Sequence, residues 1–110
     1  MKIEVLYFNG CPSYEQLLGR VRDLLGDSGI QHDVELRRIE SQDVAIANSF
    51  LGSPTLRVDD ADVEPLADRR EDFGLKCRLY RTEDGLHGLP PDAWILAAIR
   101  GAAARDRGGG

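Results

Sequence analysis

The run Ile3, Val5, Leu6, Tyr7 and Phe8 is short, nearly unbroken, and built from β-branched and aromatic residues. A strand with one wet face alternates apolar with polar, whereas a run without alternation suits a central strand covered on both faces. That requirement points to an α/β architecture, and the periods that follow agree with it. Leu17, Leu18, Val21, Leu24 and Leu25 recur at helical spacing and stop in Gly26-Asp27-Ser28-Gly29, where a glycine can take the left-handed C-cap conformation. Val34, Leu36 and Ile39 mark a second strand, and Ser41 suits the cap of a short helix carrying Val44, Ala45, Ile46, Phe50 and Leu51. The βαβα order favours a parallel pair of strands joined by a right-handed crossover.

After Gly52-Ser53-Pro54 the pattern changes. Thr55 to Val58, Asp59-Asp60 and Ala61 to Glu64 read as a short antiparallel hairpin, aspartate tolerating the positive φ of such turns. Pro90-Pro91-Asp92 opens a closing helix with Trp94, Ile95, Ala98 and Ile99 on one face. Residues 101–110 are Ala, Arg, Asp and Gly without an apolar period, which predicts a disordered tail after a single domain at 1–100. At 110 residues, 42% hydrophobic and 30% charged, the chain has room for one core.

A net charge of −5 argues against nucleic acid or an anionic bilayer as partner, because like charges repel at long range. The sequence holds no apolar run near the roughly 18 residues a membrane helix needs, and its first eight residues are too short and alternating for a signal peptide. Two widely separated cysteines do not make a secreted disulfide framework. The expectation is a cytoplasmic protein in a reducing compartment. Oligomeric state is not legible.

Cys11 in "YFNGCPSYEQLL" stands between the first strand and the first helix, the pole where open α/β sheets place their functional crevice. With Pro12 as the first helical residue, unpaired backbone N–H groups point toward the sulfur and favour thiolate. An ordinary thiol, with a pKa near 8.5, is only about 3% ionised at neutral pH, so such a field separates a reagent from a spectator. Ser13 with Gln16 also fits a capping box, which moves the helix start downstream and weakens the dipole acting on Cys11.

"GCPSY" after a hydrophobic strand, followed by "GSPT" and a hairpin, resembles the thioredoxin superfamily. "YFNGCP", "LGSPTLRVDD", "CRLYRTEDG" and "GLP" are similar, more narrowly, to a group of small bacterial thioredoxin-like proteins with a GSPT loop and a CRxY segment. The resemblance covers residues 2–64 and, more loosely, the closing helix. It implies a thioredoxin-like βαβαββα three-layer sandwich around a central mixed four-stranded sheet, with Cys11 as the attacking thiol. It further implies that Pro54 is a cis-proline whose preceding backbone, at Ser53, pairs with substrate. Base rates alone favour a trans loop proline, since about 5% of X-Pro bonds are cis. Tyr14 departs from the pattern: it occupies the position of the resolving cysteine, which excludes dithiol cycling within four residues. Pro12, Tyr14, Ser53 and Pro54 are thus the candidate substrate-binding residues.

Cys77 in "GLKCRLY" decides the mechanism. If Ala61 to Glu64 is the fourth strand, residues 65–89 form an insertion over the site pole and Cys77 comes within bridging reach of Cys11, about 7 Å between Cα atoms. If Cys77 to Arg81 is the fourth strand, Cys77 starts at the opposite pole and no bridge forms. The short, local Asp59-Asp60 hairpin favours the first arrangement. Arg78 and Arg81 either face the thiol or are ordinary arginines on an exposed strand face. Asp59, Asp60, Asp62 and Glu64 lack the spacing of a calcium loop and read as a solvated hairpin. His32 and His87 have no partner at ligand spacing, and no phosphate loop, metal motif or cofactor motif is visible.

These features predict thiol–disulfide exchange through Cys11 and a mixed disulfide with a small thiol or a protein disulfide, resolved by Cys77. The competing readings are a thiol protein that holds a soft metal or a mercurial without turnover, and a non-catalytic thioredoxin-like scaffold.

Overall fold

In the computed structural model, which describes residues 1–108, the expected order of elements is present with one addition. Strand β1 (Ile3–Tyr7) leads to helix α1 (Tyr14–Asp27), strand β2 (Glu35–Arg38) to helix α2 (Gln42–Ala47), and strands β3 (Thr55–Val58) and β4 (Ala61–Asp62) form the hairpin. A single 3₁₀ turn at Ala67–Arg69 follows, then the added hairpin, β5 (Tyr80–Thr82) with β6 (Gly85–His87), and finally helix α3 (Asp92–Gly108).

The four-stranded sheet is mixed and runs in the order β2-β1-β3-β4. β1 is parallel to β2, with Val5 opposite Leu36, and antiparallel to β3, with Val5 opposite Leu56. β3 and β4 pair antiparallel through Val58 and Ala61, and the two residues between them, Asp59 and Asp60, both take positive φ, at 52° and 69°. Two left-handed residues in a two-residue loop are what a hairpin needs to match the strand twist, and aspartate bears that conformation more readily than most residues.

β1 is covered on both sides, as its unbroken apolar run requires. Ile3 and Val5 join Leu56 and Val58 on one face, against Leu17, Val21, Leu24 and Leu25 of α1 and Ile95, Ile99 and Ala102 of α3. Leu6 turns the other way, to Ile39, Ala45 of α2 and Phe50. Each fully buried aliphatic side chain contributes roughly 1.5–3 kcal/mol against solvent exposure, so these two clusters hold the sheet between its helices. α1 ends as its glycines suggest: Gly29 is left-handed at φ 69°, and the Ile30 N–H donates back to the Leu25 carbonyl at 2.9 Å. Ser41 caps α2, its hydroxyl accepting from the Val44 N–H at 3.1 Å.

Several expectations need correction. β2 is an edge strand with all four residues exposed, and Leu36 is not a core position. α2 stops at Ala47, so Phe50 and Leu51 are buried just beyond it. β4 ends at Asp62, because Glu64 has turned away to an arginine. α3 continues to Gly108, past the expected boundary at 100, with Ala102 wholly buried and Arg105 paired to Asp59 at 3.1 Å. Small residues supplied no apolar period there, yet alanine packs well where a helix lies close to a sheet. The last two residues of the expected tail lie outside the described residues.

Burial of Ala102 has a measurable consequence. Ala102→Asp places a carboxylate in that contact and should lower unfolding stability by more than about 2 kcal/mol in urea titration. A change within about 0.5 kcal/mol is what a solvated tail would give.

Candidate functional site

Cys11 closes the loop between β1 and α1, its N–H donating to the Phe8 carbonyl at 3.3 Å. Gly10 leaves room for the Phe8 ring, which a Cβ at that position would approach to 2.4 Å and displace. α1 begins at Tyr14, so Pro12 is not its first residue. Ser13 holds the N-cap position in right-handed helical conformation and makes no side-chain cap, so the expected capping box with Gln16 is not formed. Its backbone amide and hydroxyl lower the pKa of the Cys11 thiol instead. The helix start therefore acts on the thiol through one amide and one hydroxyl.

The second wall of the site is the Gly52-Ser53-Pro54-Thr55 segment. The Ser53-Pro54 bond is cis. Cys11 Sγ lies 3.5 Å from the Ser53 carbonyl oxygen, to which the neutral thiol donates. The Ser53 hydroxyl is fully buried and has no hydrogen-bond partner. The Thr55 hydroxyl closes the turn on the Gly52 carbonyl at 2.6 Å.

The third wall comes from residues 76–78. Ser53 N–H donates to the Lys76 carbonyl and Arg78 N–H to the Ser53 carbonyl, each at 2.8 Å, giving a one-residue parallel bridge between Ser53 and Cys77. This pairing carries Cys77 beside Cys11, near enough for each thiol to alter the other's ionisation. Cys11 is only 4% exposed, whereas Cys77 is exposed. Cys11 is thus a covered thiol, with Ser53 and residues 76–78 packed beside it.

Arg78 holds this strand in place. Its side chain is fully buried, makes a two-pronged pair with Asp62 at 2.7 and 3.0 Å, and also donates to the Thr55 hydroxyl at 3.0 Å. Glu64 lies 3.4 Å from the same guanidinium, whose carbon sits 4.4 Å from the centre of the Tyr80 ring. Tyr80 is itself fully buried and its hydroxyl donates to the Pro54 carbonyl. Arg78 is therefore neither an exposed strand arginine nor a charge placed on the thiol. Asp62 and Glu64 are its partners, not a freely solvated run. Gly52, at φ 123°, completes the fit: a Cβ there would come within 2.9 Å of Arg78 Cβ and 3.0 Å of the Lys76 carbonyl oxygen.

The site thus unites Cys11, Ser53, Pro54 and Cys77 and leaves out Tyr14 and Pro12. Tyr14 stacks on Tyr7 with ring centres 4.0 Å apart, its hydroxyl reaching Glu15. Pro12 is exposed and serves the turn, its carbonyl accepting from Glu15 N–H at 3.3 Å. Sequence reasoning missed Gly52, Arg78, Asp62 and Tyr80. The signal lay in "GSPT" and "CRLY", which are two halves of one contact. Among the described residues no group of three or more His, Cys, Asp or Glu side chains is placed to hold a metal ion.

The two thiols are driven apart electrostatically. Burial pushes Cys11 up, but the neighbouring Cys77, the Ser13 amide and hydroxyl and Ser53 outweigh it and bring Cys11 below the ordinary thiol value. Cys77 moves up, first because Cys11 stands beside it, then through burial and the neighbouring thiolate.

Alkylation with iodoacetamide, followed residue by residue against pH, should give a midpoint for Cys11 below the ordinary thiol range and one for Cys77 above it. Cys77→Ala removes a donor and should move the Cys11 midpoint upward. Gly52→Ala should cost about 2 kcal/mol or more in chemical unfolding, from left-handed strain and displacement of residues 76–78. No model of a known family, no curated protein and no solved structure matches this chain.

Proposed function

We propose that this chain is a thioredoxin-like thiol protein that carries out thiol–disulfide exchange, with Cys11 as nucleophile and Cys77 as the resolving thiol. The observation that carries the reading is the Cys11 sulfur held 3.5 Å from the Ser53 carbonyl oxygen, with Cys77 bridged to that same Ser53. Against the effect of burial, the neighbouring Cys77 thiol and the Ser13 amide bring Cys11 below the ordinary thiol value, and the thiolate is the form that attacks a disulfide. A cysteine serving only as a small buried hydrophobe needs neither neighbour.

The strand order β2-β1-β3-β4, with β3 antiparallel to its neighbours, supports the thioredoxin-like architecture on which the resemblance rests. The adjacency of the two thiols supports Cys77 as the group that completes the cycle in place of the missing Cys-X-X-Cys partner. No helix among the described residues is long and apolar enough to cross a membrane. A cytoplasmic, reducing environment is part of the proposal, since the pair stands as two free thiols.

A second reading uses the same adjacency. Two sulfurs facing each other can hold a soft ion in two-coordinate fashion without turnover. Retention of one equivalent of mercuric or cuprous ion through gel filtration, lost in Cys11→Ser, would support it.

Exposure of the reduced protein to oxidised glutathione tests the exchange reading. Mass spectrometry should find a Cys11–Cys77 disulfide, with a Cys11–glutathione adduct accumulating in Cys77→Ser and neither product in Cys11→Ser. Failure of wild-type Cys11 to form either product, at a glutathione disulfide concentration that modifies ordinary surface thiols, retires the proposal.

A further inference from the structure

Ser53 carries the one backbone N–H and the one backbone C=O that flank the Cys11 sulfur on the side of the cis-proline, and neither is free. The N–H is bonded to the Lys76 carbonyl, and the C=O accepts from Arg78 N–H, both at 2.8 Å. An extended polypeptide laid against Cys11 would need those two groups to dock as an added strand, since main-chain pairing supplies the affinity in that mode of recognition. The chain's own residues 76–78 already use them, in parallel register, with Cys77 opposite Ser53.

The occupying strand is not held loosely. Arg78 anchors it by a buried pair with Asp62, and Tyr80 anchors it by a hydrogen bond to the Pro54 carbonyl. Gly52 lets the two backbones approach so closely that a methyl group would not fit. Lifting the strand would leave a guanidinium pair and two Ser53 backbone groups without partners, a cost that a peptide would have to restore in full. Cys11 is meanwhile only 4% exposed, whereas its neighbour Cys77 is exposed.

We infer that the disulfide substrate of Cys11 is a small molecule rather than an extended polypeptide, because residues 76–78 permanently fill the strand position that a polypeptide would take. This rests on the exchange reading above. In the reaction, the Cys11 thiolate attacks one sulfur of RS–SR, forming Cys11–S–S–R and expelling RS⁻. Cys77 then attacks the Cys11 sulfur, giving its proton to the thiolate that leaves. A Cys11–Cys77 disulfide forms, the second group departs as RSH, and the RS⁻ released in the first step takes its proton from solvent. The substrate disulfide gains two electrons and the protein dithiol loses them.

Single turnover of the pre-reduced protein tests the inference, with hydroxyethyl disulfide as the small probe and insulin as the polypeptide probe. Each rate is divided by that of free glutathione at the same thiol concentration and pH. The acceleration should be at least tenfold greater for hydroxyethyl disulfide than for insulin, and Tyr80→Phe, which frees one anchor of the strand, should narrow the gap severalfold. Equal or greater acceleration on insulin overturns the small-molecule assignment while leaving exchange intact. A gap that Tyr80→Phe leaves unchanged overturns the role given to residues 76–78. No acceleration on either probe overturns the exchange reading itself.

Discussion

A guanidinium without water governs how this site is built. Arg78 is buried with its carboxylate partner on β4, its hydroxyl partner on β3 and an aromatic face beneath it. Removing such a charge from solvent is costly, and burial alone would pull its pKa down; the pair with Asp62 more than compensates and keeps it protonated. A buried pair of this kind is weak as a source of net stability but strong as a source of specificity, because any register that separates the partners strands both. Here the register it selects is that of residues 76–78 against Ser53. The short hairpin of β3 and β4, the cis-proline turn and the Cys77 strand are therefore fixed together by one side chain.

The chemistry of the thiols follows from that fixing. Without the strand, Cys11 would lose the Cys77 donor and its cover together, and the two changes oppose each other. Losing the donor raises the thiol pKa, while admitting water lowers it by relieving desolvation. The structure keeps the sulfur covered and compensates with directed hydrogen bonds, which act only on a sulfur held in place. Thiolate stabilised by donors rather than by water loses little solvation on entering an exchange transition state, where charge spreads over three sulfurs. That argues for rigid placement of Ser13 and Ser53, and Ser53 is held by its backbone bonds to Lys76 and Arg78.

Much of the scaffold was legible in the sequence, for physical reasons that can be named. β1 was readable because an unbroken apolar run has few other uses, and α1 because five leucine and valine positions keep helical phase until glycine ends it. The Asp59-Asp60 turn was readable because few residues accept left-handed backbone. What escaped was long-range. Nothing local to Arg78 says that its charge will be buried, since its carboxylate partner sits sixteen positions earlier on another strand. The length of α3 escaped because alanine and glycine carry almost no periodic signal, although alanine suits a close helix contact. Tyr14 was drawn toward the thiol by its place in a motif, whereas its ring found more surface to cover on Tyr7. The placement of Cys11 at the helix start was legible; its cover was not, because that depended on Arg78.

The cover also bears on why a domain of this kind would dispense with a second cysteine at position 14. A resolving thiol within the first turn of a helix shares the same helix start as the attacking thiol and stays beside it whatever the rest of the chain does. Cys77 depends instead on a strand held by one ion pair and one hydroxyl, so its proximity to Cys11 is a property of tertiary structure. On the exchange reading, conditions that weaken the Arg78 clamp would therefore uncouple attack from resolution, converting a dithiol cycle into the accumulation of a mixed disulfide on Cys11. A Cys-X-X-Cys site has no equivalent state, because its two sulfurs separate only if the helix start itself unravels. Resolution here is thus tied to the integrity of the fold around Ser53, where the same strand that supplies the second sulfur also closes the edge.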